Sequence, residues 1–121
     1  MHALSPSTDF WLSLKKEAQT VAESEPLLAS YVHACISAHH NFESSLSFIL
    51  SSKMADEVMP AIAIREVFDE AYLLEPSISE SAMADINAIR ARDAAVDDFL
   101  VPLLHFKGFH AVQVHRMAHY L

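Results

Sequence analysis

Pro102-Leu103-Leu104-His105-Phe106-Lys107-Gly108-Phe109-His110-Ala111-Val112-Gln113-Val114-His115-Arg116-Met117-Ala118-His119-Tyr120-Leu121 ends the 121-residue sequence and contains its one glycine, Gly108. Average usage of about 7 % would give a chain of this length roughly eight. Phosphate-cradling loops, dinucleotide-binding turns and tight hairpins all use glycine for positive φ or for close backbone approach. A chain with a single glycine cannot supply them, which excludes nucleotide-binding α/β folds and most all-β folds. Within the quoted stretch Phe106, Phe109, Gln113, Met117 and Tyr120 recur at helical spacing. The fold class is therefore all-α.

Working back from that helix, Leu100 to Leu104, broken by Pro102, reads as an apolar connection, and Asp93 to Asp98 as a short turn. A helix carrying Met83, Ile86 and Ile89 to about Arg92 starts at Ser77-Ile78-Ser79-Glu80, a capping box in which Ser and Glu satisfy each other's free backbone donors. Another starts at Asp56 and Glu57, with Pro60 early in it, and buries Ile62, Val67, Phe68 and Tyr72. Asn41 caps a helix bearing Phe42, Leu46, Ile49 and Leu50. Ser24-Glu25-Pro26 separates a helix with the stripe Leu27, Leu28, Tyr31, Val32, Cys35 and Ile36 from a first one. That first helix opens at Ser5-Pro6 and carries Phe10, Leu14, Ala18, Val21 and Ala22. The expectation is one domain over residues 1–121, a compact multi-helix bundle of about six to eight helices. The last helix has no stop signal, so we expect the natural polypeptide to continue beyond it.

The composition narrows the function. Just over half of the residues are apolar (52 %), enough for a core without disulfides or metal. The single cysteine, Cys35, cannot form an internal disulfide and fits a reducing, cytoplasmic location. A net charge of −8 without clustered Lys or Arg argues against nucleic acid and anionic membranes as partners. No apolar run approaches the ~20 residues that span a bilayer, and Met1 to Trp11 lacks the features of a signal peptide.

Four constellations could carry chemistry. His115 and His119 can share one helical face and a metal, but no carboxylate or cysteine in that helix completes the set, so capping or packing is the expected role. Cys35 lies on an apolar stripe with His33 pointing elsewhere, which suits a small buried hydrophobe better than a nucleophile. Glu66, Asp69 and Glu70 read as a solvated acidic face moderated by Arg65. Arg90-Ala91-Arg92-Asp93 stands where a helix yields to an irregular turn, a usual setting for binding groups, although arginines at a helix C-terminus also simply favour its dipole. Gly108→Val is expected to harm folding if Gly108 serves close packing or unusual φ.

Pro102 to His119 closely resembles the K-G-F-H-A-x-Q-x-x-R-x-x-H signature of serine acetyltransferases. Met59-Pro60-Ala61-Ile62-Ala63-Ile64-Arg65-Glu66-Val67 and Glu25-Pro26-Leu27-Leu28-Ala29-Ser30 resemble the same family. Arg90-Ala91-Arg92-Asp93-Ala94-Ala95-Val96-Asp97 is similar to its R-x-R-D-P-A-x-D segment, with Ala94 in place of the usual proline.

The resemblance implies an N-terminal helical domain that precedes a left-handed parallel β-helix of hexapeptide repeats. Such an enzyme moves acetyl from acetyl-CoA to L-serine, giving O-acetyl-L-serine for cysteine synthesis. It implies substrate binding by Asp93, whose carboxylate can pair with the serine amino group. It places the catalytic and acetyl-CoA groups in the β-helix, so no catalytic, cofactor-binding or metal residue is expected in this segment, which should be inert alone. It further implies hexamers built as dimers of trimers through the helical domains, and partnership with cysteine synthase through a C-terminal tail outside this segment. The alternative is a stand-alone helical self-association or scaffolding module.

Overall fold

Residues 6–55, 59–93, 96 and 98–121 are described by the computed structural model of the protein. They form seven α-helices and, among the described residues, no strand. Asp56 and Glu57, the expected helix start, and Ala94, Ala95 and Asp97 of the expected turn lie outside them.

Helix α1 (Pro6–Ser24) buries Phe10, Trp11, Leu14 and Ala18, while Val21 and Ala22 reach only the rim of the core. It stops where expected. Pro26 disfavours helical geometry in the residue before it, and Glu25 accordingly turns to φ −129°.

The next segment is wound unevenly. A 3₁₀ turn (Pro26–Leu28) leads into the short α2 (Ala29–Val32), and a π-helical turn (His33–Ser37) follows. The Ala38 N–H bonds back to the His33 carbonyl at 2.9 Å. Carbonyls near this widened end are taken by side chains: the Ser45 hydroxyl donates to Cys35 O (2.6 Å), and His39 Nε2 to Ala34 O (2.9 Å). The change of winding breaks the expected stripe. Val32, Cys35 and Ile36 are buried, but Leu28, Tyr31 and above all Leu27, 98 % exposed, face outward.

Helix α3 (Phe42–Met54) is capped as expected, the Asn41 side chain accepting from the Ser44 N–H at 2.9 Å. Phe42, Leu46, Ile49 and Leu50 are all buried. Helix α4 (Ala61–Leu74) packs antiparallel along α3, with Arg65 over the Phe48 ring at the middle of α3. Pro60 is not inside this helix. It stands before it at ψ 152°, because a proline brings no N–H and pushes its predecessor out of the helical region. The buried side of α4 is Ile64, Phe68, Ala71 and Tyr72, whereas Ile62 and Val67, expected inside, are 69 % and 45 % exposed. Apolar residues nearly surround this helix, so periodicity alone left its inner face ambiguous.

Helix α5 (Pro76–Arg92) begins one residue before the expected capping box, with Pro76 at its first position, where a fixed φ suits a helix start. The Ser77 hydroxyl therefore bonds outward to Glu75 Oε1 at 2.7 Å, and Ser79 donates to Glu43 Oε1 of α3 at 3.0 Å. The apolar connection at Leu100 is itself helical, α6 (Leu100–His105), and α7 (Lys107–Tyr120) follows. Helix α7 buries Phe109, His110, Gln113 and Met117, with Tyr120 on the outside.

Gly108 has no positive φ, and a Cβ built on it would meet nothing within 4 Å. The expected harm from Gly108→Val thus has no basis in close packing or backbone strain.

Candidate functional site

Asp93 ends α5 in an extended conformation (φ −109°, ψ 108°) and is exposed. Its backbone is held on two sides. Its N–H donates to Ile89 O, and its own carbonyl accepts from the Val96 N–H, both at 3.0 Å. Val96 is buried, so the exposed carboxylate stands three positions before a core residue.

The far side of this turn is fixed from α1. Glu17 reaches the start of α6, where Oε2 accepts from the Phe99 N–H at 3.1 Å and from the Leu100 N–H at 3.2 Å. Burial pushes the Glu17 carboxyl above its ordinary pKa; the Phe99 bond opposes this, the Asp98 charge adds to it, and the Leu100 bond and Arg90 oppose it. The Phe99 ring contacts Phe10 of α1, 4.7 Å between centroids, and carries the guanidinium of Arg90 4.5 Å from its centroid. Arg90 therefore packs on the turn, and Arg92 Nε donates to Ala88 O of its own helix at 3.2 Å.

Beside this end of α5 lies an open cleft of about 240 Å³ lined by Asp85, Ile89, Arg92, Gly108, Phe109 and Val112. Its α5 and α7 walls are joined by a polar clamp. Asp85 Oδ2 accepts from Gln113 Nε2 (2.7 Å) and from Arg116 (3.0 Å), and Arg116 donates again to Gln113 Oε1 at 2.6 Å. Gln113 is fully buried, so this closed network leaves none of its polar atoms unpaired.

The other sequence candidates do not converge on Asp93. His115 and His119 are exposed, and among the described residues no three His, Cys, Asp or Glu side chains gather as a metal site would require. Cys35 is buried and His33 exposed; burial pushes the Cys35 thiol up, with a Tyr31 hydrogen bond and the Lys53 charge opposing. A thiol so placed is a poor nucleophile. Arg65 does moderate the acidic face, pairing with Asp69 at 3.6 Å. Glu17 and Phe99, which frame the turn, were missed in the sequence. The available signal was an acid set beside the apolar stripe of α1, seven positions after Phe10 and one before the buried Ala18.

Fold and site together define a domain that is all-helical among the described residues and presents an exposed carboxylate at a helix end. The profile of the N-terminal region of serine acetyltransferases matches residues 10–114. Serine acetyltransferase of Escherichia coli K12 is 50 % identical over 111 residues, covering 92 % of this chain and 41 % of that protein. That of Haemophilus influenzae is 48 % identical over 93 % of this chain and 42 % of its own length. A serine acetyltransferase solved with CoA superposes with a TM-score of 0.93 at 47 % identity, covering 95 % of this chain and 49 % of that one. Soybean serine acetyltransferase solved with serine gives 0.93 at 39 % identity, over 98 % of this chain and 49 % of its own. The chain belongs to the serine acetyltransferase N-terminal family. It spans about two fifths of the length of the curated relatives it matches.

Proposed function

We propose that these residues are the N-terminal helical domain of a serine O-acetyltransferase, which transfers acetyl from acetyl-CoA to L-serine and yields O-acetyl-L-serine. The observation that carries this reading is identity near one half over nine tenths of the chain, joined to a fold that superposes over nearly all of it. Asp93 is the serine contact in this proposal, and its support is the exposed carboxylate on a backbone tied at both sides. A carboxylate there offers the serine ammonium a charge-assisted hydrogen bond, roughly twice as strong as a neutral one. The base that activates the serine hydroxyl and the groups that hold acetyl-CoA belong to the part of the enzyme beyond this segment. The domain itself contributes assembly into a hexamer, needs no metal or bound cofactor, and works in the cytoplasm. No helix among the described residues is long and apolar enough to cross a membrane. Partnership with cysteine synthase belongs to a C-terminal tail.

The test is steady-state kinetics of the full-length enzyme, following thiol release from acetyl-CoA with serine as acceptor. Asp93→Asn should raise the serine KM about tenfold or more, with the acetyl-CoA KM nearly unchanged. Equal effects on both substrates would count against the assigned role. Residues 1–121 alone should release no thiol; measurable turnover by the isolated segment would place the chemistry inside this domain and overturn the division proposed here.

A further inference from the structure

We propose that Glu17 is a positioning residue for serine: by holding the backbone of Phe99 and Leu100 it fixes the far end of the turn that Asp93 begins, and so sets where the Asp93 carboxylate stands. The inference rests on the reading of Asp93 as the serine contact. Three observations carry it.

The first is the cap itself. Glu17 is bonded to residues 82 and 83 positions away, so the contact joins distant segments and is no local feature of α1. A half-buried carboxylate is costly unless its charge is used, and here two backbone N–H donors at the start of α6 use it. A neutral apolar residue at position 17 would continue the adjacent stripe without that desolvation, so an acid at this place calls for a role beyond filling space.

The second is the convergence on Phe99. Its N–H is held by Glu17, and its ring meets both Phe10 from the same helix and Arg90, three residues before Asp93. Helix α1 and the end of α5 thus both hold one residue.

The third is the tie at Asp93. Its N–H is bound to the end of α5 and its carbonyl to Val96, which is buried. Asp93 is therefore oriented by what happens on both sides of it. Released from Glu17, the Phe99 side can shift, and the Asp93 carboxylate shifts with it. Displacements of about 1 Å from the productive geometry can cost on the order of a hundredfold.

The experiment compares Glu17→Ala, Glu17→Gln and Asp93→Ala with the double variant in the full-length enzyme, measuring KM for serine and for acetyl-CoA. Glu17→Ala should raise the serine KM about tenfold and leave the acetyl-CoA KM unchanged. Glu17→Gln keeps a carbonyl acceptor for the two N–H groups and should raise it less. In the Asp93→Ala background Glu17→Ala should add nothing to the serine KM, the coupling expected of a residue that acts through another. If Glu17→Ala lowers kcat only in proportion to misfolded enzyme, with both KM values unchanged, Glu17 merely braces the fold and the inference is overturned. Should Glu17→Ala fail to fold, Glu17→Gln and Glu17→Asp carry the same comparison. A normal serine KM in Asp93→Ala removes the reading of Asp93 and this inference together; a raised one, with the Glu17 variants normal, removes the inference alone.

Discussion

His39 and His110 are both buried, and in each one ring nitrogen faces a backbone carbonyl: Ala34 O at 2.9 Å for His39 and Leu103 O at 2.6 Å for His110. A carbonyl only accepts, so in each ring Nε2 carries the proton and Nδ1 is bare. His39 Nδ1 then accepts from the Ser44 hydroxyl at 2.7 Å, while His110 Nδ1 has no hydrogen-bond partner among the described residues. Burial lowers both pKa values, against the partial opposition of those same carbonyls. The unfolded chain therefore binds protons that the native state refuses, and stability is lost as pH falls through the ordinary histidine range. The slope has an upper bound of about 1.4 kcal/mol per pH unit for each group. Urea unfolding at pH 7.5, 6.5 and 6.0 should show the midpoint falling with pH, and falling less steeply in His110→Gln. A flat midpoint across this window would show that these histidines are not buried as described. Glu17, whose pKa is raised by burial, acts in the opposite sense: the native state holds its proton more tightly than the unfolded chain, so acidification adds stability through this group.

The helices were legible in the sequence wherever a residue with a fixed steric or hydrogen-bonding role marks the boundary. Pro26 ended α1, Asn41 capped α3, and the stripe of α3 was read residue for residue. Misreadings fell where two signals competed. At α5 the fixed φ of Pro76 outweighed the capping box, and at α4 apolar residues on several faces hid which one packs inward. The winding of His33–Ser37 left no periodic trace, because one wide turn shifts the stripe without changing its composition. Nor could spacing announce the clamp of α5 on α7, whose members stand 28 and 31 positions apart. That clamp should be a measurable source of stability. Asp85→Ala leaves the Gln113 amide buried without its acceptor, a loss of about 1–3 kcal/mol. Asp85→Ala combined with Gln113→Leu should recover part of it, since no buried amide is then left unpaired and the partly exposed Arg116 can turn to water. Chemical denaturation that finds both variants as stable as the parent would show that the network contributes nothing.

At the scale of the molecule, the candidate site was half legible. The carboxylate could be matched by resemblance from a run of eight residues, but the parts that hold it come from α1, some eighty positions earlier, and only folding joins them. The outer surface was less legible still. Leu27, Ile62, Leu73 and Leu74, all large and apolar, are between 65 % and 98 % exposed. Covering them fits the assembly role proposed above. Sedimentation of residues 1–121 should show a species heavier than 13.5 kDa, and Leu73→Asp with Leu74→Asp should shift it toward monomer without loss of helical signal. A parent chain that is monomeric at high micromolar concentration would deny this face that role.

Trp11 is the sole tryptophan of the chain, and it is buried on α1 beside Phe10. The fluorescence of the native protein therefore reports on one element, the same helix that carries Glu17. A red shift in its emission marks the moment when α1 leaves the bundle, and comparison with far-ultraviolet dichroism separates that departure from general unwinding. The chain thus carries its own optical gauge of whether the support beneath Asp93 is docked.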